Sequence, residues 1–316
     1  SLCGDHELPV PTQGCVSLDP PEGCGQGPFG DIIPMSGDVF INPSASASGA
    51  NGSQGAPYPK LSQGLSAVNP GGRLVLASGT YPEALPITAS ISVIGRCSSM
   101  VTLTGTPGDT SSFSALVNVT GPHQVSLKGL TLSPQTMGVR VAAGGQVTLE
   151  HVLIDAAYHK GIEVMDASSG LSLFRTLVRD TEGEPWGFSG YGLEVVFGAQ
   201  VSAEESAFIG NMSAGVQINA AGSSGTFRDV AILDTLPESD GYLGNGAAVL
   251  FGGAIELSES VLRQNHSAGL SVLGDGASPT RAEATRVYVG ETKYASFSYG
   301  QASGIESANG ASLTLS

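Results

Sequence analysis

Apolar and polar residues alternate in seven segments of this chain, and each segment opens with a glycine. After Gly161, for example, Ile162 and Val164 enclose Glu163. Alternation with a period of two is typical of a β-strand that buries one face. The intervals between the opening glycines alternate between 23 and 31 residues and end with one of 35, so the repeating unit is a pair of coils of 54 residues. The segments begin at Gly138, Gly161, Gly192, Gly215, Gly246, Gly269 and Gly304.

A repeat of this length predicts a solenoid, in which each coil covers the core of its neighbour. Further short apolar segments follow the first one within a coil, such as Val147 with Leu149 and Val152 with Ile154. Three short strands per coil, separated by Gly, Ala and Ser turns, are typical of a parallel β-helix. Leucine-rich, ankyrin and tetratricopeptide repeats are excluded because neither a leucine consensus nor an amphipathic helix pair recurs.

The part of the chain before the coils predicts a leader and a cap. Residues 1–37 form a Cys- and Pro-rich leader, residues 38–71 a strand and a short helix, and residues 72–316 the β-helix, with the double coils starting at residue 138. In the predicted helix, Leu61, Leu65 and Val68 share one face. We expect this helix to cover the open end of the first coil, as a β-stack requires.

The beginning of the predicted solenoid carries a family resemblance. The segments Phe40-Ile41-Asn42-Pro43 and Leu76-Ala77-Ser78-Gly79-Thr80-Tyr81, with the helix between them, resemble the start of proteins of the pectate-lyase-like superfamily. Together with the coils, the resemblance spans residues 38–316 and implies an all-β, right-handed parallel β-helix. The double coil is also similar to repeats in secreted or surface proteins of myxobacteria-like organisms.

The same resemblance leaves the activity open, because this superfamily contains lyases, hydrolases, esterases, adhesins and binding proteins. The sequence has neither the Asn-Thr-Asp, Gly-His-Gly and Arg-Ile-Lys motifs of polygalacturonases nor the Trp-x-Asp-His motif of pectate lyases. No catalytic residue can therefore be carried over from these enzymes.

Net charge and cysteine content restrict the possible ligands and the cellular compartment of the protein. A net charge of −15 opposes nucleic-acid binding, and no apolar run of about 18 residues is present to span a membrane. Four cysteines, at positions 3, 15, 24 and 97, favour two disulfides in an oxidising compartment, with the pairing left open. We therefore expect a secreted or surface-exposed protein. Lipid attachment at Cys3 is an alternative, although Ser1-Leu2 matches such a site poorly.

The longer coils carry their extra residues before the next glycine, in three loops at 181–191, 235–245 and 290–303. A shared register places these loops along one edge of the stack, where insertions often form a binding face. Exposed aromatic rings would stack on sugars or anchor a protein partner, whereas rings folded inward would only pack the loops. The candidate ligand-binding residues are Trp186, Phe188, Tyr191, Tyr242, Tyr294, Phe297 and Tyr299.

Acidic residues in the loops suggest a calcium site, because Ca²⁺ binds several hard oxygen ligands. The candidates are Glu182, Glu184, Glu238 and Asp240. The nearby Asp180, Asn211, Asp234 and Asn265 each lie 19 residues after the opening glycine of a coil. This spacing favours a structural ladder of side chains at one turn. No other cofactor is indicated.

The candidate catalytic residues lie on the outward face of the glycine-led strands. Glu163 and Glu194 occupy equivalent positions on adjacent coils, so we expect their backbones about 4.8 Å apart, close enough for the carboxylates to share a proton or a cation. Arg140 lies one coil below, and His159 and Lys160 precede the strand, where they would supply a cation and a proton donor for a uronate. The simpler alternative is that these are ordinary solvent-facing strand residues.

These features favour a binding or scaffold module that contacts polysaccharide or a protein partner through the aromatic loops. The alternatives are a polysaccharide lyase or glycoside hydrolase that uses Glu163 and Glu194, and a purely structural surface stalk. The last segment matches the first half of a coil, which suggests end-to-end stacking or a longer parent chain.

Overall fold

The computed structural model describes residues 3–105, 114–184, 189–294 and 302–316. The leader begins with an antiparallel hairpin, and the helix α1 follows the first parallel strand. Leu61 and Gly64 of α1 are buried against the first coil, where a Cβ atom on Gly64 would lie 2.3 Å from Cδ1 of Ile41. The helix therefore caps the stack as predicted. The elements of this part are β1 Glu7–Val10, β2 Gly14–Ser17, β3 Val39–Ile41, α1 Leu61–Ala67, β4 Arg73–Leu76, β5 Gly79–Tyr81, β6 Leu85–Ile87, β7 Ile91–Gly95 and β8 Val101–Leu103.

The rest of the chain continues the stack with parallel strands, three to a regular coil. The strands are β9 Ala115–Thr120, β10 Gln124–Leu132, β11 Met137–Ala142, β12 Gln146–Asp155, β13 Lys160–Met165, β14 Gly170–Phe174, β15 Leu177–Arg179, β16 Tyr191–Val196, β17 Gln200–Glu204, β18 Ala207–Ile209, β19 Ala214–Asn219, β20 Ser224–Arg228, β21 Ala231–Leu233, β22 Asn245–Leu250, β23 Ala254–Ser258, β24 Val261–Arg263, β25 Ala268–Leu273, β26 Arg281–Thr285, β27 Tyr288–Gly290, β28 Ser303–Ala308 and β29 Ser312–Leu315.

The strands form three faces. The glycine-led strands make a nine-stranded parallel sheet in the order β6-β9-β11-β13-β16-β19-β22-β25-β28, which we call the glycine-led sheet. A second face runs from β4 through β14 to β29, and a third from β5 through β15 to β27; the long strands β10 and β12 contribute to both. Inward Val, Leu and Ile side chains from all three faces fill one continuous core. The predicted fold class, an all-β parallel β-helix with a short N-terminal capping helix and a disulfide-linked leader, is confirmed.

Both predicted disulfides are present, and they pair Cys3 with Cys15 and Cys24 with Cys97. The first closes the β1–β2 hairpin, and the second ties the leader to the first coils. No helix in the described part of the chain is long and apolar enough to cross a membrane.

The predicted four-residue ladder is wrong in its register. Arg179 pairs with Ile209, so Asp180 aligns with Gly210, and Asn211 aligns with Thr181. The turn after β13 contains four residues and the turn after β16 only three, so equal counts from the glycines reach different columns. Asn211 and Asn265 are fully buried and bond the backbone of the neighbouring coil, whereas the carboxylates of Asp180 and Asp234 are exposed.

Candidate functional site

The predicted catalytic residues lie together on the outward face of the glycine-led sheet. Glu163 of β13 pairs with Arg140 of β11 on one side and with Glu194 of β16 on the other. Alternation of side chains along each strand sends all three outward, since the residues on either side point into the core. The sequence reasoning therefore placed this group correctly on one face.

The two glutamates are nevertheless buried, which contradicts the simpler alternative of ordinary solvent-facing strand residues, whereas Arg140 is partly exposed. Glu163 and Glu194 are 7% and 8% exposed, and Gln217 and Ser271 in the same column are also buried. The loops enter at the amino ends of β16, β22 and β28, and described parts of the first two contact each other along this edge of the sheet. For example, the amide of Ser189 in the first loop donates to Oε1 of Glu238 in the second loop at 3.2 Å. Tyr191, at the end of the first loop, also bonds Gln217 on the outward face.

Lys160 lies between the two buried carboxylates. Its Nζ atom forms an ion pair with Oε1 of Glu163 and lies 2.5 Å from Oε2 of Glu194. Arg140 adds a second cation, with Nε 3.2 Å from Oε2 of Glu163. Gln217 completes the row by donating from Nε2 to Oε1 of Glu194 at 3.0 Å. We call Arg140, Glu163, Lys160, Glu194 and Gln217 the carboxylate network.

The electrostatics of the carboxylate network keep Lys160 charged. Burial alone would lower the pKa of Lys160, but the carboxylates of Glu194 and Glu163 outweigh burial and raise it above the ordinary value. Burial, followed by the charges of Glu194 and Glu238, raises the pKa of the Tyr191 phenol. A protonated lysine that is ion-paired on two sides is not available as a base in this arrangement.

His159 lies beside the network but outside its hydrogen bonds. Burial, and then the positive charge of Lys160, lower the pKa of His159. Its Nε2 atom lies 3.7 Å from Oε1 of Glu184, the carboxylate that faces it from the first loop. The imidazole is therefore held neutral near pH 7, which is the form that can accept a proton.

The structure gives the predicted calcium ligands different partners and surroundings. Glu238 is buried and accepts from Oγ of Ser213 at 2.6 Å, while Asp240 accepts from the amide of Tyr242 at 3.0 Å. Glu182 is exposed, and Glu184 faces His159. Among the described residues, the one group with the geometry of three converging ligands is Asp19, Cys24 and Cys97, whose cysteines form a disulfide. Calcium binding by the loops stays a prediction.

Three of the seven predicted ligand-binding aromatic residues lie in the described part of the chain. Tyr242 and Tyr294 are 48% and 68% exposed, whereas Tyr191 is half-buried over the network and bonds Gln217. Trp186, Phe188, Phe297 and Tyr299 lie outside the described residues. Two further exposed side chains of the second loop, Leu236 and Leu243, were missed because isolated leucines in a polar loop carry no periodic signal.

The strand topology defines a parallel β-helix, and solved structures share this fold. Pectate lyase Pel9A shares this fold with a TM-score of 0.56 and 15% sequence identity, over 90% of this chain and 78% of that chain. A rhamnogalacturonan lyase aligns with a TM-score of 0.45 at 12% identity, over 80% of this chain and 75% of that chain. The catalytic domain of a GH87 alpha-1,3-glucanase in complex with nigerose aligns with a TM-score of 0.31 at 9% identity, over 90% and 70% of the two chains.

No protein-family model matches the sequence, and no curated protein matches it either. At 15% identity, the similarity to pectate lyase Pel9A establishes the shared fold.

Proposed function

We propose that the protein is an extracytoplasmic β-helix that binds polysaccharide through the loops over the glycine-led sheet. The observation that carries the proposal is the exposure of Tyr242 and Tyr294 in two equivalent loops, with exposed Leu236 and Leu243 beside Tyr242. Flat apolar rings at a solvated edge are suited to stacking on sugar rings. The similarity to pectate lyase Pel9A supports a carbohydrate ligand, and two disulfides support an oxidising compartment.

Binding to a panel of neutral and acidic polysaccharides, measured by affinity electrophoresis with and without Ca²⁺, tests this proposal. We expect Tyr242→Ala and Tyr294→Ala each to weaken retention about fivefold, since one stacked ring contributes about 1 kcal/mol. Tyr288→Ala is the matched control, because Tyr288 is equally exposed but lies on the third face in β27. Retention of no polymer would favour a structural stalk, and equal losses in all three variants would remove the loops as the contact surface.

A second candidate function is cleavage of an acidic polysaccharide at the carboxylate network. Its support is the pair Glu163 and Glu194 on adjacent strands, with Lys160 and Arg140 as cations for a uronate. It ranks second because both carboxylates are buried and neutralised by cations, which opposes their use as a proton donor and a nucleophile. New reducing or unsaturated ends that vanish in Glu163→Gln and Glu194→Gln, with unchanged retention, would instead make the protein an enzyme.

A further inference from the structure

Two phenylalanines are exposed on the edge of the glycine-led sheet opposite the loops. Phe197 and Phe251 are 61% and 48% exposed, and each is the first residue after its strand, β16 or β22. The loops enter at the amino ends of these strands, whereas the phenylalanines follow their carboxyl ends. The two residues are 54 positions apart and so recur with the double coil.

The backbone at both positions is unfavourable for phenylalanine. Phe197 has φ 57° and Phe251 has φ 50°, in the left-handed region where a bulky side chain is uncommon and strained. Other coils place Ala143, Asp166 and Ala220 at this turn position with the same sign of φ. Because the rings are mostly solvated, core packing does not account for the choice of phenylalanine. Strain combined with exposed apolar surface points to a binding role.

The spacing of the rings matches an extended glycan. Strands β16, β19 and β22 are neighbours, so Phe197 and Phe251 are separated by two strand spacings, about 9.6 Å. This distance is comparable to a disaccharide unit of a β-1,4-linked chain, in which every second sugar presents the same face. Ala220, at the same turn of the coil between them, leaves the gap open.

The groups around the rings favour a neutral ligand. Asn219 at the end of β19 is half-buried and lies in register between Val196 and Leu250, so one carboxamide lies between the two strand ends and can bond sugar hydroxyls. Leu250, which precedes Phe251, is half-buried and adds to the apolar surface, whereas Val196 before Phe197 is buried. The nearby carboxylate of Asp166 accepts from the amide of Ala143, and the net charge of −15 opposes a polyanion.

We propose that Phe197 and Phe251 form a second binding surface, independent of the loops, for a neutral β-1,4-linked glycan. Each ring stacks on one sugar of the chain, and one further sugar lies between the two stacked sugars. Binding is therefore bivalent along one chain, and an oligosaccharide too short to reach both rings gains the contact of only one.

Isothermal titration with cellohexaose, xylohexaose and mannohexaose tests the proposal, with hexagalacturonate as the anionic comparison. We expect at least one neutral hexasaccharide to bind, and its disaccharide to bind at least about tenfold more weakly. In Phe251→Gly this dependence on length disappears. In the double variant Phe197→Gly/Phe251→Gly, affinity for the hexasaccharide falls at least about tenfold. Glycine accepts a positive φ, so the midpoint of thermal unfolding stays the same or rises, which separates lost binding from lost folding.

Tyr242→Ala/Tyr294→Ala distinguishes this surface from the loops. We expect the phenylalanines to contribute equally in that background, so that adding Phe197→Gly/Phe251→Gly to it again lowers the affinity for the hexasaccharide at least about tenfold. Tyr288→Ala, on the third face, should keep the wild-type affinity. If the tyrosine variant loses hexasaccharide binding and the phenylalanine variant keeps it, the loops bind sugar and this inference falls while the proposed function stands. Failure of every neutral hexasaccharide to bind, tighter binding of hexagalacturonate, or a wild-type dimer in light scattering that dissociates in the double glycine variant would each overturn the inference.

Discussion

At the scale of single residues, Lys160 makes the burial of two carboxylates tolerable. Glu163 and Glu194 are adjacent in register and buried, so without a cation they would repel each other in a poorly solvated site. Lys160 contacts both of them, and Arg140 contacts Glu163. A buried ion pair adds little net stability over apolar packing, but removing one partner leaves an uncompensated charge.

Replacing Lys160 should therefore be costly. We expect Lys160→Met to lower the free energy of unfolding by about 3–5 kcal/mol, because two buried carboxylates lose their common cation. The combined variant Lys160→Met/Glu163→Gln/Glu194→Gln should recover most of this loss. Urea denaturation measures both.

Lys128→Met is the control for this prediction, since Lys128 pairs with Glu150 at the surface, with side chains 49% and 35% exposed. That change should alter the free energy of unfolding by less than about 1 kcal/mol. A Lys160 variant no less stable than the Lys128 variant would show that the network is well solvated.

The two buried histidines make stability depend on pH. Burial lowers the pKa of His151 and of His159 below the ordinary value of 6.5. Leu18 and Glu150 oppose this shift at His151, and Lys128 and Arg175 reinforce it. At His159 the charge of Lys160 reinforces the shift, while Glu184, Glu163 and Glu194 oppose it. Below pH 6.5 the unfolded chain therefore binds more protons than the folded one, so acid favours unfolding.

We expect the free energy of unfolding to be constant above about pH 7 and to fall between about pH 6.5 and pH 5, by up to about 1.4 kcal/mol per pH unit for each histidine. His159→Asn should flatten part of this slope, and asparagine suits the positive φ of 76° at that position. Chemical denaturation at several pH values measures the slope. The same slope in the wild type and the variant would mean that His159 titrates normally in the folded protein.

At the scale of the element, the strands could be predicted from the sequence but their register could not. Alternation after each glycine identifies which residues point inward, and the core confirms it, because it contains the alternate residues of β13, β16 and β19 but not the residues between them. These core residues are Ile162, Val164, Leu193, Val195, Val216 and Ile218. Asn211 was assigned to the column of Asp180 because turns of three and four residues look alike in composition. The burial of Glu163 likewise depends on long side chains that pack against it, Lys160 and Arg140, and alternation distinguishes only inward from outward positions.

The correct register gives Asn211 a defined structural role. Its Oδ1 accepts from the amide of Thr181 at 3.1 Å, and its Nδ2 donates to the carbonyl of Val178 at 3.1 Å. Asn265 repeats both bonds with Thr235 and Ile232. Each asparagine thus satisfies two buried backbone groups where the chain leaves the third face.

We expect Asn211→Ala to lower the free energy of unfolding by about 3 kcal/mol, because an amide and a carbonyl lose their partners in the core. Asp180→Asn, at the neighbouring exposed position, should change it by less than about 0.5 kcal/mol, because asparagine accepts the positive φ of 55° there. Urea denaturation compares the two variants. Equal effects would support the original assignment of both residues to one column.

At the scale of the whole molecule, the leader is a cover for the third face. Leu8, Val10 and Leu18 are buried against outward side chains of several coils. Those coil residues are Leu153, Leu177, Ala207, Ala231 and Leu233. The tip of the hairpin is held by the amide of Thr12, which donates to Oδ1 of Asp229 at 2.9 Å. Further along, Arg96 donates to the carbonyls of Cys24 at 2.8 Å and Gly25 at 2.6 Å beside the disulfide Cys24–Cys97.

A charge at the centre of this contact should release the hairpin without unfolding the coils. We expect Leu8→Asp to expose the apolar residues of the third face, because a carboxylate without a partner is strongly disfavoured there. Binding of a hydrophobic dye should rise, and hydrogen exchange should accelerate in β1, β2, β15 and β18. The disulfide Cys24–Cys97 keeps the leader attached, so the protein remains folded around its core.

Gln13→Asp is the control for this last prediction. Gln13 is exposed at the tip of the hairpin, so the added carboxylate is solvated. It should leave dye binding and hydrogen exchange unchanged. If Leu8→Asp instead lowers the midpoint of a single unfolding transition while exchange accelerates evenly through all coils, the leader and the solenoid unfold as one cooperative unit. Faster exchange confined to the hairpin and the strands beneath it means that the third face can be uncovered on its own.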